Sequence, residues 1–431
     1  MTSAREPGVY DFLLIGGGVA AATAAAEIRA RDAVGSIALV TDDSAYPYHR
    51  PPLSKEFLRG EIGVAGVYGA GGIYAREPTW YDSQRIEVIR GVEALRLDTE
   101  ARTVLLATGQ TVRYRQLLLA TGGRARRLRI PGADLLGVHA LRSLDDAVAI
   151  RAELTARQPH VVVIGSRFIG LETAASALMK GARVTIIDAS PRLWHDLMPS
   201  SLADYFERHF QAHGARFRFG STPTAFLPGP DGRVAAVQIA PTDGSAPLEE
   251  IPCACVVTGI GIELNTRLAS AAGLALDERS ALLVNERLET SAPGVFAAGD
   301  IITYPDPVAG RMHFEHWDHA IMSGRAAAIN MTGGQETYRH LPYFFSDQFD
   351  LSLNMLGYPT SDADVVVRGD MARNRFTALY VWQGTLRAAL MVNDDVQTAR
   401  LRHLIASGVT LPGDIGRLRD PAFDLETLVS R

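Results

Sequence analysis

Residues 161–170 read VVVIGSRFIG and decide how the centre of the chain folds. A β-branched run ends at Gly165, and Gly170 stands at the last glycine of G-x-G-x-x-G, the fingerprint of a dinucleotide-binding turn. The middle glycine, which normally lets the backbone lie against a pyrophosphate, is replaced by Arg167. The surrounding segments HVVVIGSR, FIGLETAASALMKG and RVTIID predict a strand, a helix and a strand. The stretch therefore predicts a βαβ unit with an unusual phosphate turn.

The same order of segments occurs near the start of the chain. YDFLLIGGG predicts a strand, VAAATAAAEIRAR a helix and SIALVTDD a second strand. Two such units predict two nucleotide-binding folds, each with a parallel sheet. Beyond residue 331, the runs ALYVWQGTLRAALMV and DVQTARLRHLIASG indicate strands followed by a helix. The predicted fold class is α/β, with two Rossmann-like dinucleotide-binding domains and a C-terminal α+β domain.

Composition narrows the possible functions. Of 431 residues, 47% are hydrophobic and 21% are charged, and the formal net charge is −5. No basic field favours nucleic acid, and no polybasic block favours an anionic membrane. The first residues lack the pattern of a signal peptide, and no apolar run of about 18 residues indicates a membrane span. We therefore expect a cytoplasmic protein that binds neither nucleic acid nor membrane.

The sequence contains two cysteines, Cys253 and Cys255, on a predicted strand. Residues two apart on a strand share a face, but their Cα atoms lie about 6.5–7 Å apart, which is awkward for a disulfide. We interpret both as small apolar core residues, in keeping with a reducing cytoplasm. This interpretation excludes dithiol reductase chemistry.

The first βαβ unit carries a complete phosphate fingerprint. Gly16 permits the tight turn, Gly18 lets a pyrophosphate approach, and Ala21 lets the helix pack closely on the sheet. The helix N-terminus then offers unpaired N–H groups and a positive dipole to the phosphates. Asp42 and Asp43 end the second strand, where a carboxylate can accept hydrogen bonds from ribose hydroxyls.

Three further motifs indicate FAD as the first nucleotide. YPYHRPPLSKEFL is a rigid Pro-Pro loop that carries Arg50 and Lys55. LLLATGGRAR ends a strand at Thr121 and Gly122, a second close backbone approach to a cofactor. GVFAAGDI ends a strand at Asp300, whose carboxylate suits a ribityl hydroxyl.

The motifs RPPLSK, ATGG, FIGLE, GD and EHWDHA, in this order, resemble the FAD-dependent NAD(P)H reductases of the bacterial ferredoxin and rubredoxin reductase type. That family also contains apoptosis-inducing factor. The resemblance runs from about Tyr10 to past Gly357. It implies a glutathione-reductase-like fold that binds FAD and NAD(H).

The resemblance also implies a domain plan. Residues 1–117 and 262–330 form a discontinuous FAD-binding domain. Residues 118–261 form the NAD(H)-binding domain, and residues 331–431 form the C-terminal α+β reductase domain.

Residue by residue, the resemblance implies a set of cofactor contacts. His316 and Trp317 open a helix where family members contact the flavin, and Phe345 replaces a tryptophan near the flavin edge. The full predicted cofactor-binding set is Gly16, Gly18, Val19, Ala20, Asp42, Asp43, Arg50, Lys55, Ala94, Thr121, Gly122, Arg126, Gly165, Arg167, Phe168, Ile169, Gly170, Asp188, Gly261, Asp300, His316, Trp317 and Phe345.

In the second unit, Asp188 ends the second strand at the ribose-binding position, which predicts NADH rather than NADPH. Arg167 leaves two alternatives open. Directed outward, it supplies a charge-assisted contact to the pyrophosphate; folded inward, it occupies the phosphate site. In the family, a glutamate matching Glu172 pairs with the lysine matching Lys55 beside flavin N5. We therefore expect Lys55 and Glu172 to be the catalytic residues that shape the hydride-transfer site.

Three functions remain open. The first is an FAD-dependent NADH oxidoreductase that passes electrons to a small iron–sulfur protein such as a ferredoxin or rubredoxin. The second is an apoptosis-inducing-factor-like NADH oxidase or redox sensor, and the third is a non-catalytic dinucleotide-binding protein. The spacing of His313, His316 and His319 invites a metal site, but the flavin-contact motif accounts for it and no metal is predicted. The sequence does not decide between a monomer and a homodimer.

Overall fold

The computed structural model describes residues 8–155, 159–411 and 415–428. The chain divides into two compact units, each assembled from three separate segments. The first unit comprises Met1–Pro51, Ile62–Arg124 and Ile262–His340. The second comprises Pro52–Glu61, Ala125–Gly261 and Leu341–Arg431.

The helices of the described residues are α1 (Val19–Arg31), α2 (Glu56–Arg59), α3 (Pro78–Ser83), α4 (Leu144–Thr155), α5 (Phe168–Met179), α6 (Ser200–Ala212), α7 (Arg267–Ala271), α8 (Trp317–Met331) and α9 (Thr398–Ser407). Their strands are β1 (Val9–Ile15), β2 (Ile37–Val40), β3 (Ile86–Ile89), β4 (Ala94–Asp98), β5 (Thr103–Leu106), β6 (Thr111–Leu119), β7 (Gly123–Ala125), β8 (Val138–Ala140), β9 (His160–Ile164), β10 (Arg183–Ile187), β11 (Arg216–Arg218), β12 (Ser221–Pro228), β13 (Val234–Pro241), β14 (Glu249–Pro252), β15 (Cys255–Thr258), β16 (Ile262–Leu264), β17 (Leu282–Leu283), β18 (Val295–Ala297), β19 (Ile302–Asp306), β20 (Gly310–His313), β21 (Tyr343–Gln348), β22 (Leu351–Gly357), β23 (Asp364–Asp370), β24 (Arg375–Trp382) and β25 (Thr385–Val392).

The first unit is built on a sheet in the order β3-β2-β1-β6-β5-β4, with β18 also paired to β6. Strands β3, β2, β1, β6 and β18 run parallel, and β4, β5 and β6 form an antiparallel meander. Leu13 pairs with Ala38 on one side and Leu117 on the other, and all three are fully buried. Such continuous apolar strands are typical of a parallel sheet covered on both faces.

Small residues let two helices of the first unit approach closely. Helix α1 is rich in alanine and packs against α8. A Cβ atom built on Gly324 of α8 would lie 2.4 Å from the carbonyl oxygen of Ala20. The alanine-rich sequence of α1 therefore serves helix packing as well as helix propensity.

The second unit contains the parallel sheet β11-β10-β9-β15-β8, with α5 connecting β9 to β10. A three-stranded antiparallel sheet, β12-β13-β14, lies between β11 and β15 in the chain. The five-stranded antiparallel sheet β21-β22-β25-β24-β23 packs against α9 through Leu356, Leu401 and Leu404. Strand β21 of this sheet also contacts α5.

The two predicted βαβ units are confirmed as β1-α1-β2 and β9-α5-β10. The C-terminal strands and helix α9 match the predicted α+β region, so the predicted fold class is confirmed. The three-domain boundaries stay a prediction, since the compact units group 125–261 with 341–431. No helix of the described residues has the length and apolar character needed to cross a membrane.

Candidate active site

The carboxyl ends of the first unit's parallel strands lie in register. Ile15 pairs with Val40 and with Leu119, and Leu119 pairs with Ala297. The loops that follow these residues therefore meet at one edge of the sheet, where open α/β folds bind ligands. The structure brings together at this edge the predicted residues Gly16, Gly18, Val19, Ala20, Asp42, Asp43, Thr121, Gly122 and Asp300.

The turn into α1 fits a phosphate group. Gly16 has φ +131°, and a Cβ atom there would lie 2.1 Å from the Ala120 carbonyl oxygen, so the protein itself requires glycine. At Gly18, the atom nearest to a built Cβ is Arg50 Nη1, at 3.8 Å. The protein thus leaves room above Gly18 and places a guanidinium beside it. Within the described residues no side chain caps α1, which leaves its first N–H groups available to an anion.

Local hydrogen bonds fix other polar groups of the first unit. Asp43 accepts hydrogen bonds from the Tyr48 hydroxyl at 2.9 Å and from a backbone N–H at 2.9 Å, whereas Asp42 is exposed. Thr121 donates to the Asn265 carbonyl oxygen at 2.7 Å, and Asn265 donates back to the Thr121 carbonyl at 3.0 Å. Ala94, the first residue of β4, is half-buried in the same unit.

An aromatic cluster surrounds His49 in the first unit. Trp317 Nε1 donates a hydrogen bond of 2.6 Å to His49 Nδ1, and the Tyr68 ring centroid lies 4.9 Å from that of His49. Burial, and then the charge of Arg76, lower the pKa of His49 to about 4. Burial likewise lowers the pKa of His316 to about 4. Both imidazoles are therefore neutral at pH 7, and His49 can accept the hydrogen bond that orients Trp317.

The second phosphate turn accommodates Arg167 without strain. Gly165 has φ +103°, and a Cβ atom on it would lie 2.4 Å from the Gly259 carbonyl oxygen. Arg167 has φ −86° and ψ −177°, nearly the conformation of Gly18, whose φ is −86° and ψ 178°. Since this extended conformation suits any residue, arginine causes no backbone strain there. The Arg167 side chain is 71% exposed, and its Nη2 lies 3.1 Å from Asp196 Oδ2.

Asp188 follows β10 at the predicted position, but its carboxylate already has partners. Oδ2 accepts hydrogen bonds from the Ser166 N–H at 2.6 Å and the Ser166 hydroxyl at 2.7 Å. Oδ1 accepts from the Ser190 N–H at 2.7 Å. Ser166 belongs to the phosphate turn itself, so Asp188 braces that turn against the end of β10.

The remaining predicted residues of the second unit flank this turn. Phe168 packs against Phe344 with ring centroids 4.7 Å apart, whereas Ile169 is 42% exposed. A Cβ atom on Gly170 would lie 2.0 Å from the Gly165 carbonyl oxygen, which explains the glycine. Arg126 is exposed, and its N–H donates to the Gly261 carbonyl at 3.0 Å.

A buried ion pair lies at the centre of the second unit. Lys55 Nζ is 2.8 Å from Glu172 Oε2, and the side chains are only 2% and 3% exposed. The Ser54 hydroxyl donates to the same carboxylate oxygen, and the Ser346 hydroxyl donates to Oε1 at 2.7 Å. The Glu172 carboxylate therefore accepts from an ammonium and two hydroxyls, which offsets the cost of burying its charge. Lys55 Nζ lies 5.6 Å from the centroid of the Phe345 ring, within range of a cation–π interaction.

Sequence reasoning found Lys55, Glu172 and Phe345 but missed the two serines. Each serine is adjacent to a residue that the motifs had singled out, in RPPLSK and FFSDQ respectively. His49 was missed in the same way, beside Arg50. Adjacency to a motif residue was the one available indication, because a hydroxyl or a neutral imidazole gives no distinctive sequence pattern.

The family model described as pyridine nucleotide-disulphide oxidoreductase matches residues 10–324. The chain belongs to this family. A second model, described as reductase C-terminal, matches residues 343–429. Family membership confirms the predicted enzyme class, a flavoprotein oxidoreductase dependent on a pyridine nucleotide.

Similar proteins cover nearly the whole of this oxidoreductase. The ferredoxin–NAD(+) reductase component of the anthranilate 1,2-dioxygenase system of Burkholderia cepacia is 35% identical over 97% of this chain and 99% of its own length. Rhodocoxin reductase of Rhodococcus erythropolis is 34% identical over 98% and 95%. The crystal structure of the covalent putidaredoxin reductase–putidaredoxin complex matches with a TM-score of 0.88 and 29% identity, over 99% of each chain.

We expect removal of one partner of the Lys55–Glu172 pair to destabilise the protein strongly. Glu172→Gln leaves the Lys55 ammonium buried without a counter-charge, so the free energy of unfolding should fall by about 3–5 kcal/mol in urea titrations. The double variant Lys55→Met with Glu172→Gln should recover a large part of that loss. Glu61→Gln, which removes the half-exposed partner of Arg59, is the control and should change stability by about 1 kcal/mol or less.

We also expect acidification to destabilise the protein through His49. Its folded-state pKa of about 4 lies below the ordinary value of 6.5, so the unfolded chain binds one more proton between these pH values. The stability contributed by neutral His49 is thus present above pH 6.5 and is lost as the pH falls through 4. His49→Asn keeps an acceptor for Trp317 and removes the titration. As the pH is lowered from 6.5 to 4, the free energy of unfolding of the wild type should fall more steeply than that of His49→Asn, by about 1 kcal/mol per pH unit. If the two free energies fell in parallel with pH, the assignment would be contradicted.

Proposed function

We propose that this protein is an FAD-dependent NADH oxidoreductase that passes electrons to a small iron–sulfur protein of the ferredoxin or rubredoxin class in the cytoplasm. The buried Lys55–Glu172 pair carries the proposal, because it holds a lysine ammonium and its counter-ion at the two positions where the resemblance implies the hydride-transfer site. The named relatives, which are reductases of ferredoxin, rhodocoxin and putidaredoxin, support the class of acceptor. The two free, buried cysteines agree with a reducing compartment.

The predicted domain plan enters the proposal unchanged. Residues 1–117 and 262–330 bind FAD, residues 118–261 bind NAD(H), and residues 331–431 form the reductase domain. The phosphate turns support this assignment, because each lies at the carboxyl ends of parallel strands and begins a helix. Arg50 beside Gly18 adds a cation to the first turn, and exposed Arg167 adds one to the second.

FAD, when bound, supplies the exchange of a hydride for single electrons that an iron–sulfur acceptor needs. The chain's own part is to bind, orient and exclude water. Glu172 fixes the direction of the Lys55 ammonium, and Ser54 and Ser346 fix the Glu172 carboxylate in turn. Because all four side chains are buried, this charge acts in a medium of low dielectric constant, where its effect on a nearby polar group is large.

The test is an anaerobic titration of the FAD-loaded protein with NADH and, in parallel, with NADPH. We expect NADH to bleach the flavin absorbance at about 450 nm rapidly, NADPH to act less efficiently, and a [2Fe–2S] ferredoxin to reoxidise the protein. Slow bleaching with a lasting long-wavelength band would favour the apoptosis-inducing-factor-like oxidase or sensor. Bleaching by neither nucleotide would refute the proposal.

Arg167 should strengthen NADH binding. Its extended backbone fits the turn, and its side chain is exposed, so it can exchange Asp196 for a phosphate oxygen. We expect Arg167→Gly to weaken NADH binding about fivefold, because an exposed charge-assisted hydrogen bond contributes about 1 kcal/mol. Asp196→Ala removes the competing carboxylate and should leave binding unchanged or tighten it. Tighter binding by Arg167→Gly would show instead that arginine obstructs the phosphate site.

A further inference from the structure

His209 on helix α6 and His213, the C-cap residue of that helix, lie one turn apart. His209 and His213 stand at i and i+4, a spacing that places side chains on the same helix face. The two-residue turn between β21 and β22 brings Asp350 to that face. One ring nitrogen of each histidine and one carboxylate oxygen of Asp350 lie within 4.8 Å of one another. Asp350 Oδ1 is already 2.9 Å from His209 Nε2.

The ring of His213 is fixed in orientation and in tautomer. Its Nδ1 lies 2.9 Å from the His209 carbonyl oxygen, which can only accept, so Nδ1 carries the proton. The lone pair of the neutral ring is then on Nε2. Phe349 stacks on the ring with centroids 3.9 Å apart and planes 13° apart. A hydrogen bond from one nitrogen of a histidine to a carbonyl is the usual support for a metal ligand at the other nitrogen.

Asp350 is supported from the opposite side. Asn374 Nδ2 donates to Asp350 Oδ2 at 3.0 Å, and Tyr205 Oη donates to Asn374 Oδ1 at 2.7 Å. Tyr205 belongs to α6, so the chain of hydrogen bonds begins on the same helix that carries His209. This chain fixes one carboxylate oxygen and leaves the other directed at His209.

We propose that His209, His213 and Asp350 bind a divalent transition-metal ion of the zinc class. Two imidazoles and one carboxylate match the donor preference of Zn²⁺ and exclude a Mg²⁺-type site, which takes oxygen ligands. His213 and Asp350 are exposed, so water completes the coordination. The proposal departs from the sequence-based prediction of no metal. The i, i+3, i+6 histidines do not share its geometry, since His313 bonds the Ile302 carbonyl and His319 bonds Tyr338.

The ion would connect α6 to the β21–β22 hairpin. Strand β21 carries Ser346, which holds Glu172, and it ends two residues before Asp350. Metal binding to the folded state would therefore stabilise the hairpin that positions the buried ion pair. The proposed metal site takes no part in hydride transfer. Its test is therefore independent of the test of the proposed function.

The test is calorimetric titration of the FAD-loaded protein, without a histidine tag, with ZnCl₂, together with its thermal unfolding. We expect one Zn²⁺ per chain, a raised Tm, and reversal of both by EDTA. His213→Ala and Asp350→Asn should each weaken binding by about tenfold or more, since even the loss of a supporting group costs about 10- to 100-fold. His403→Ala, which removes an exposed histidine from helix α9, is the matched control and should bind Zn²⁺ as the wild type does. Absence of one-to-one binding, or binding unchanged by both ligand variants, would overturn the proposal.

Discussion

A charged lysine with 2% of its side chain exposed constrains much of the second unit. An ammonium loses most of its hydration at such a position. Only a well-oriented carboxylate with its own hydrogen bonds offsets the free-energy cost of that lost hydration. The partners come from far along the chain: Glu172, which binds Lys55, lies on α5, and Ser346, which donates to Glu172, lies on β21. Pro52–Glu61 accordingly belongs to the second compact unit, although the segments on either side of it belong to the first. One electrostatic requirement thus joins a loop, a helix and a strand from three parts of the sequence.

The two phosphate turns show which glycines the protein needs and which a ligand needs. Gly16 and Gly165 both have positive φ, and both have a carbonyl oxygen where a Cβ atom would lie, so no other residue fits without strain. Gly18 and Arg167 share one extended conformation, and at Gly18 the atom nearest to a built Cβ is Arg50 Nη1, at 3.8 Å. The fingerprint therefore imposes two different requirements. Its first position needs a residue that can adopt a positive φ, and its middle position needs space for the phosphate of a ligand. At the middle position of the second turn, the Arg167 side chain is 71% exposed, and under the proposal that this turn binds NADH its outward direction replaces the small size of glycine.

The sequence predicts those features that depend on short-range pattern. Periodicity predicted both βαβ units, and the glycine spacing located both turns, because strand, turn and helix are neighbours in the chain. The contacts of Ser346 with Glu172 and of Trp317 with His49 span 174 and 268 residues. No local sequence pattern predicts contacts between residues so far apart in the chain. The motifs indicated only that these residues lie in or beside the cofactor-binding segments. The pair His209 and His213 is visible in the sequence HFQAH, but Asp350 follows about 140 residues later and becomes their neighbour only in the folded chain.

The family is described by its disulphide chemistry, and the thiols of this chain do not support that chemistry. Cys253 and Cys255 are free and buried, and burial raises the pKa of Cys253 to about 12 and that of Cys255 further still. A thiol held in its neutral form is a poor nucleophile and a poor redox partner. Since the sequence contains no other cysteine, electrons accepted from NADH have no internal dithiol to enter. This agrees with the proposed transfer of electrons to an external iron–sulfur acceptor. Beyond the nucleotide-binding folds, residues 343–429 match the model described as reductase C-terminal.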